Sequence, residues 1–196
     1  MPPKPKVGKE DIVSAALDIV RKRGADALNA RAVASALGTS TQPIFSHYKT
    51  MEELKQAVIA AANELRLSRQ QEDMEAGQYP AYKASGMSYI RFAREEKELF
   101  KLLFMRDRSG EEITEDHEEI RSILDIIQKN TGMSEQDAFQ FHLEMWIYVH
   151  GIATMIATSY LELDLEYISQ IVSDAFWGLR KRYEERGADH GSHFDH

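Results

Sequence analysis

None of the 196 residues is cysteine. That excludes disulfides and cysteine-based zinc sites, and it suits a reducing interior. No stretch reaches the ~18 uninterrupted apolar residues of a membrane span. The opening MPPKPK leads into no apolar run, so no secretory leader is expected and a cytoplasmic location is. Alternation of period two is absent, and so is any internal repeat. The familiar catalytic patterns are missing as well. There is no GxSxG elbow and no glycine-rich phosphate loop, and the run from His117 to Arg121 lacks the second histidine of a zinc protease motif. A di-iron bundle needs Glu three residues before His, but Thr114, Phe139 and Ile147 precede His117, His142 and His150. No catalytic residue, cofactor or metal site is therefore expected; His190, His193 and His196 are only weak metal candidates, in a tail that follows Gly187.

What is present is a globular composition, 43% hydrophobic and 29% charged, with enough apolar residues for one or two packed cores. The net charge of −8 argues against a nucleic-acid partner until it is divided. Residues 1–50 hold eight basic and four acidic side chains, a balance of +4, which leaves −12 for the rest. One end of the chain is thus suited to an anion and the other is not.

The stretch Asn29 to Tyr48, NARAVASALGTSTQPIFSHY, reads as two short helices joined by a tight turn. Asn29 is an N-cap residue. Val33, Ala34 and Leu37 form one apolar face, and Gly38 stands where a helix end calls for a left-handed residue. Thr39 makes the turn and Ser40 is placed to cap the second helix. Ile44 and Tyr48 face inward, leaving Thr41, Gln42, Ser46 and His47 outward. This is the pattern of a helix-turn-helix, whose second helix enters the DNA major groove. A helix over Lys9 to Arg23, with Ile12, Val13, Ala16, Leu17 and Val20 on one stripe and Gly24 at its end, supplies the third member. Thr50 then caps a long helix from Met51 to about Glu75, broken by Gly77 and Pro80.

From residue 80 to about 185 the pattern is helical throughout. An aromatic and methionine-rich run from Met87 to Met105 is followed by the acidic run Glu111 to Glu119. The helix from Ser134 to Tyr160 carries apolar residues on two faces, so it is expected to be buried on two sides. The next helix, from Leu165, has its stripe at Ile168, Val172, Ala175, Phe176, Leu179 and Tyr183. One chain would struggle to cover all of this. A symmetric homodimer through a four-helix bundle would do so, with Ile152, Ile156, Ile168, Val172 and Phe176 at the expected interface.

The segment RKRGADALNARAVASALGTSTQPIFSHYKTMEEL, residues 21 to 54, resembles the DNA-binding domain of the TetR family of one-component transcriptional repressors in order, spacing and residue type. Trp146, His150 and Gly151 look like the mark of one subgroup of that family. The resemblance implies an all-α fold: an N-terminal three-helix helix-turn-helix domain over 1–50, a helical ligand-binding and dimerisation domain over 51–186, and a tail over 187–196. There are departures. Phe45 stands where a tyrosine commonly offers its hydroxyl to a phosphate, and Met51 where a lysine is frequent, with Lys49 and Lys55 near enough to compensate. Gln42 and Pro43 replace frequent Gly and Thr, so no operator sequence carries over.

The expected function is a ligand-responsive regulator, a repressor, that binds a palindromic double-stranded DNA operator as a homodimer. Arg31, Thr39, Thr41, Gln42, His47 and Lys49 are the expected DNA contacts. Tyr89, Phe92, Phe100, Phe104, Met145, Trp146 and His150 are expected to line one cavity for a small-molecule effector. Its binding would tilt the fourth helix and spoil the spacing of the two recognition helices. The rival readings are a helical small-molecule-binding protein that never touches DNA, and an all-α enzyme.

Overall fold

A computed structural model describes residues 7–107 and 117–191. Among these residues there are nine α-helices, one 3-10 turn and no strand. The helices are α1 (Lys9–Arg23), α2 (Ala30–Ala36), α3 (Gln42–His47), α4 (Met51–Glu75), α5 (Ala81–Glu95), α6 (Lys97–Phe104), α7 (His117–Thr131), α8 (Glu135–Ala157) and α9 (Leu165–Gly191). The fold is all-α, as expected. By their packing the described residues fall into two compact units, 7–69 with 92–107 and 70–91 with 117–191. The division lies inside α4 and α5, not at the expected boundary near residue 50, because Leu54, Val58 and Ala62 of α4 are wholly buried and belong to the first unit.

The local signals in the first unit do what their chemistry allows. Asn29 accepts from the Ala32 N–H at 3.0 Å and starts α2. Gly38, at φ +61°, turns the chain out of α2 in a conformation that costs glycine least. α3 is preceded by Thr41, which makes no side-chain cap bond, so Ser40 does not play the capping part expected of it. Pro43 sits in the first turn, where its missing N–H goes unused. At the head of α4 the Glu53 N–H donates to the Thr50 hydroxyl at 3.1 Å and the Glu53 carboxylate accepts from the Lys49 N–H at 2.7 Å. This reciprocal pair satisfies two backbone donors.

Ile12, Val20, Val33, Ile44, Leu54, Leu99 and Phe100 are buried in this unit, each worth about 1.5–3 kcal/mol over exposure. α6 packs on α1. The turn between α5 and α6 carries Glu96, 7% exposed, whose two carboxylate oxygens accept from Arg21 Nε of α1 and Arg69 Nη2 of α4, both at 2.8 Å.

In the second unit Ser134 caps α8 by accepting from the Asp137 N–H at 3.1 Å. α8 packs on both α7 and α9, and its buried face is Ala138, Phe141, Met145, Val149, Ile152, Ala153, Ile156 and Ala157. Gly86 of α5 faces Val149 of α8, where an added Cβ would make only an ordinary contact at 3.5 Å. Phe141, Phe176, Tyr82 and Tyr183 form an aromatic cluster, with the Phe141 ring edge-on to both Phe176 and Tyr183. α9 runs to Gly191, past the expected boundary at 186. Most of the acidic run from Glu111, and His193 and His196, lie outside the described residues.

Candidate nucleic-acid interface

α3 is held from below by Ile44 and Tyr48, both buried. That fixes which side chains face out. Gln42, Phe45, Ser46 and His47 are exposed on α3, with Thr39 and Thr41 half-buried just before it. Arg31 on α2 and Lys49 after α3 are exposed on either side. The expected DNA contacts therefore sit together on or beside one short helix, in one compact unit. Two of the polar groups are already engaged: the Ser46 hydroxyl donates to the Gln42 carbonyl at 2.9 Å, and His47 Nε2 lies 3.2 Å from the Val7 carbonyl. Phe45, which sequence reasoning noted only for the hydroxyl it lacks, is 49% exposed at the centre of this face.

Beside α3 lies a surface groove of about 460 Å³ between Lys9, Tyr48 and the first two turns of α4. The Lys9 ammonium stands 5.2 Å over the Tyr48 ring. The Tyr48 hydroxyl is buried with no hydrogen-bond partner, and burial raises its pKa above the ordinary tyrosine value. Glu52 and Glu53 share the wall of this groove.

The seven expected effector residues divide between the units. Phe92 and Phe100 are fully buried in the first, with Arg69 over the Phe92 ring and Phe104 packed 4.9 Å from Phe100, centroid to centroid. Tyr89, Met145, Trp146 and His150 are in the second. There the Tyr89 hydroxyl is 2.8 Å from His150 Nδ1, and the Trp146 ring stacks on the imidazole at 4.9 Å. Burial holds the His150 pKa below the ordinary histidine value; a neutral ring with its proton on Nε2 accepts the tyrosine O–H. A second pair repeats the geometry, Tyr82 hydroxyl to His142 Nδ1 at 3.2 Å, again α5 to α8. Met145 is buried.

The residues expected at the interface pack within the chain itself. Ile152, Ile156, Ile168 and Val172 are buried within the single chain and Phe176 is half-buried. Among the outward apolar side chains of α8, which include Tyr148 and Met155, Phe139, Leu143, Trp146 and Ile147 are 41 to 58% exposed and spaced at four, seven and eight residues, which is one helix face. On α9, Tyr167 and Trp177 are exposed, and Gly178 opens on empty space.

Among the described residues no helix is long and apolar enough to cross a membrane. None of their His, Asp or Glu side chains gather into a group of three or more that could hold a metal ion.

Comparison with known proteins then speaks to the whole arrangement. Residues 12–58 match the family described as bacterial regulatory proteins, tetR family. Residues 82–174 match the family described as tetracyclin repressor-like, C-terminal domain. An uncharacterised HTH-type transcriptional regulator of Mycobacterium tuberculosis is 23% identical over 165 residues, 80% of this chain and 73% of that protein. The structure of a TetR-like transcriptional regulator from Rhodococcus sp. RHA1 superposes with a TM-score of 0.64 at 13% identity, covering 90% of this chain and 96% of that one. A TetR variant from Acinetobacter baumannii AYE in complex with minocycline gives 0.60 at 16% identity, covering 92% and 98%.

Proposed function

The chain belongs to the tetR family of bacterial regulatory proteins, and from that premise we propose that this transcriptional regulator is a ligand-responsive repressor that binds a palindromic operator as a homodimer. The observation that carries the reading is the outer face of α3. It is a polar helix face with one aromatic ring, flanked by the exposed cations Arg31 and Lys49, in the part of the chain whose balance is +4. Base edges are met by such a face and phosphates by such flanks. Arg31 and Lys49 take phosphates; Thr41, Gln42 and His47 face the groove; Thr39 lies in the turn beside them. Genomic DNA as partner puts the protein in the cytoplasm.

The second copy covers the outward face of α8. Four large apolar side chains in water on one helix are more than isolated exposed residues, and such patches mark protein contacts. Two-fold pairing through that face gives two equal recognition helices. They fit successive major grooves when roughly 34–36 Å apart.

For the effector we keep Tyr89 and His150 as the contact group, with Trp146 stacked on the imidazole at the edge of the α8 face, and assign Phe92, Phe100, Phe104 and Met145 to packing. The minocycline held by the A. baumannii relative supports a small molecule as the class. An effector that binds one dimer conformation better than the other shifts the population away from the spacing that fits DNA. The Trp146, His150, Gly151 run as a subgroup mark belongs to this same reading.

The test is a gel shift of the full chain on a pool of random duplexes, with sequencing of what is retained. Enrichment of a sequence with two inverted half-sites is expected. A protein that shifts no duplex, yet binds small molecules with a stoichiometry of one per chain, would establish the DNA-free helical binder instead.

A further inference from the structure

We infer that α3 reads each half-site through two side chains, Gln42 on an adenine and Phe45 against the 5-methyl group of a thymine one or two base steps away; this rests on the operator-binding reading above. The inference starts from which outward groups of α3 are already engaged. The Ser46 hydroxyl proton is committed to the Gln42 carbonyl, and His47 Nε2 to the Val7 carbonyl. Of the four exposed side chains, the Gln42 amide and the Phe45 ring carry no such bond and are the first to meet bases, with His47 beside them facing the groove. Gln42 offers an amide donor and an acceptor, which match N7 and the 6-amino group of adenine in a bidentate pair.

Phe45 offers neither a donor nor an acceptor. The ring is about half exposed, and Ile44 and Tyr48 hold α3 beneath it, so the core does not depend on it. Its exposed neighbours on α3 are polar and not apolar, Gln42, Ser46 and His47, and the exposed cation Lys49 follows four residues on. That argues for a nucleic acid over a protein partner on this face. In the major groove the apolar group a base pair presents is the thymine methyl, and phenylalanine is among the side chains that contact it. The spacing follows from helix geometry. Gln42 and Phe45 are three residues apart, hence about 5–6 Å between Cβ atoms on one face, against about 3.4 Å per base step.

The experiment begins with the half-site enriched from the random pool, bound by the full chain. Each thymine is replaced, one at a time, by deoxyuridine, which differs only in lacking the methyl group. One thymine in each half-site is expected to show about a fourfold rise in Kd, the value of one methyl-sized apolar group. An adenine one or two steps away should show a comparable loss when replaced by 7-deazaadenine. In Phe45→Ala the deoxyuridine effect should vanish while the 7-deazaadenine effect stays, and in Gln42→Ala the reverse. Phe45→Leu, which keeps an apolar contact, should retain part of the methyl effect, and circular dichroism confirms that each variant is folded. Operators insensitive to deoxyuridine at every thymine overturn the inference and leave operator binding intact, as does a methyl effect that persists in Phe45→Ala. Failure of the parent protein to shift any duplex overturns both.

Discussion

α3 and α8 each leave aromatic rings in water, but on different scales. α3 has six residues and shows one ring, Phe45, among Gln42, Ser46 and His47. α8 has twenty-three residues and shows Phe139, Leu143, Trp146 and Ile147 on one face. Both helices are capped or preceded by small polar residues and both bury an apolar stripe, so the buried sides do not distinguish them. The exposed sides do. A lone ring in a polar, cationic setting suits a partner that is mostly charged and carries a few methyl groups. A continuous apolar face suits another apolar face. The lesson is that the partner's chemistry is legible in how an exposed apolar residue is surrounded, more than in its exposure.

The contrast breaks most sharply at α8. Ile156→Asp places a carboxylate where the side chain is 5% exposed and should cost on the order of 4–5 kcal/mol, giving insoluble or unfolded protein. Ile147→Asp, at 58% exposure, should instead give folded monomers by sedimentation, with operator affinity down about 100-fold from lost avidity. A dimeric Ile147→Asp would show that this face is not the interface.

Next in size is the buried carboxylate of the first unit. Glu96→Ala leaves Arg21 and Arg69 without their shared anion, and since both arginines are about one-third exposed water takes part of the burden. A loss of about 2–3 kcal/mol in denaturant unfolding is expected, below the usual range for breaking a buried pair. A change under about 0.5 kcal/mol would mean that the pair adds nothing net.

The recognition side is expected to respond more gently. Lys49→Ala should weaken binding to all duplexes alike and reduce the slope of log affinity against log salt by about one unit. A sequence-dependent loss would move Lys49 from phosphate to base.

The smallest effect is of pH. His150 is depressed below its ordinary pKa by burial, so between the two values the unfolded chain binds more protons than the folded one. The stability it contributes is complete above the ordinary value of 6.5 and is lost as pH falls from there toward the folded pKa. Unfolding free energies of parent and His150→Gln should therefore converge on acidification and differ most at neutral pH. Parallel curves would remove His150 as a source.

Much of the first unit was legible in the chain. The ends of α1 and α4, the Asn29 and Thr50 caps and the left-handed Gly38 follow from contacts within a few residues, which local chemistry governs. What was not legible depends on distant partners. α8 has apolar residues nearly all round, and periodicity alone does not say which face its own chain covers; Ile152 and Ile156, expected at the interface, are buried within the chain. Glu96 meets Arg21 across 75 residues, and nothing in the spacing of either announces the other. Phe45 was read for its missing hydroxyl, when its informative property was a position that only the packing of Ile44 and Tyr48 reveals.

The Glu96 junction also bears on how the protein is made. Arg21 and Arg69 leave the ribosome well before the carboxylate that they share, and α1 is without its α6 neighbour until Lys97–Phe104 has emerged. The DNA-binding unit is therefore discontinuous along the chain, and its last contacts close long loops, which slows folding. A fragment ending after α3, or even after α4, would keep the recognition helix and lack the piece that completes its support. A minimal operator-binding fragment would have to rejoin 7–69 to 92–107, with a short linker in place of the residues between.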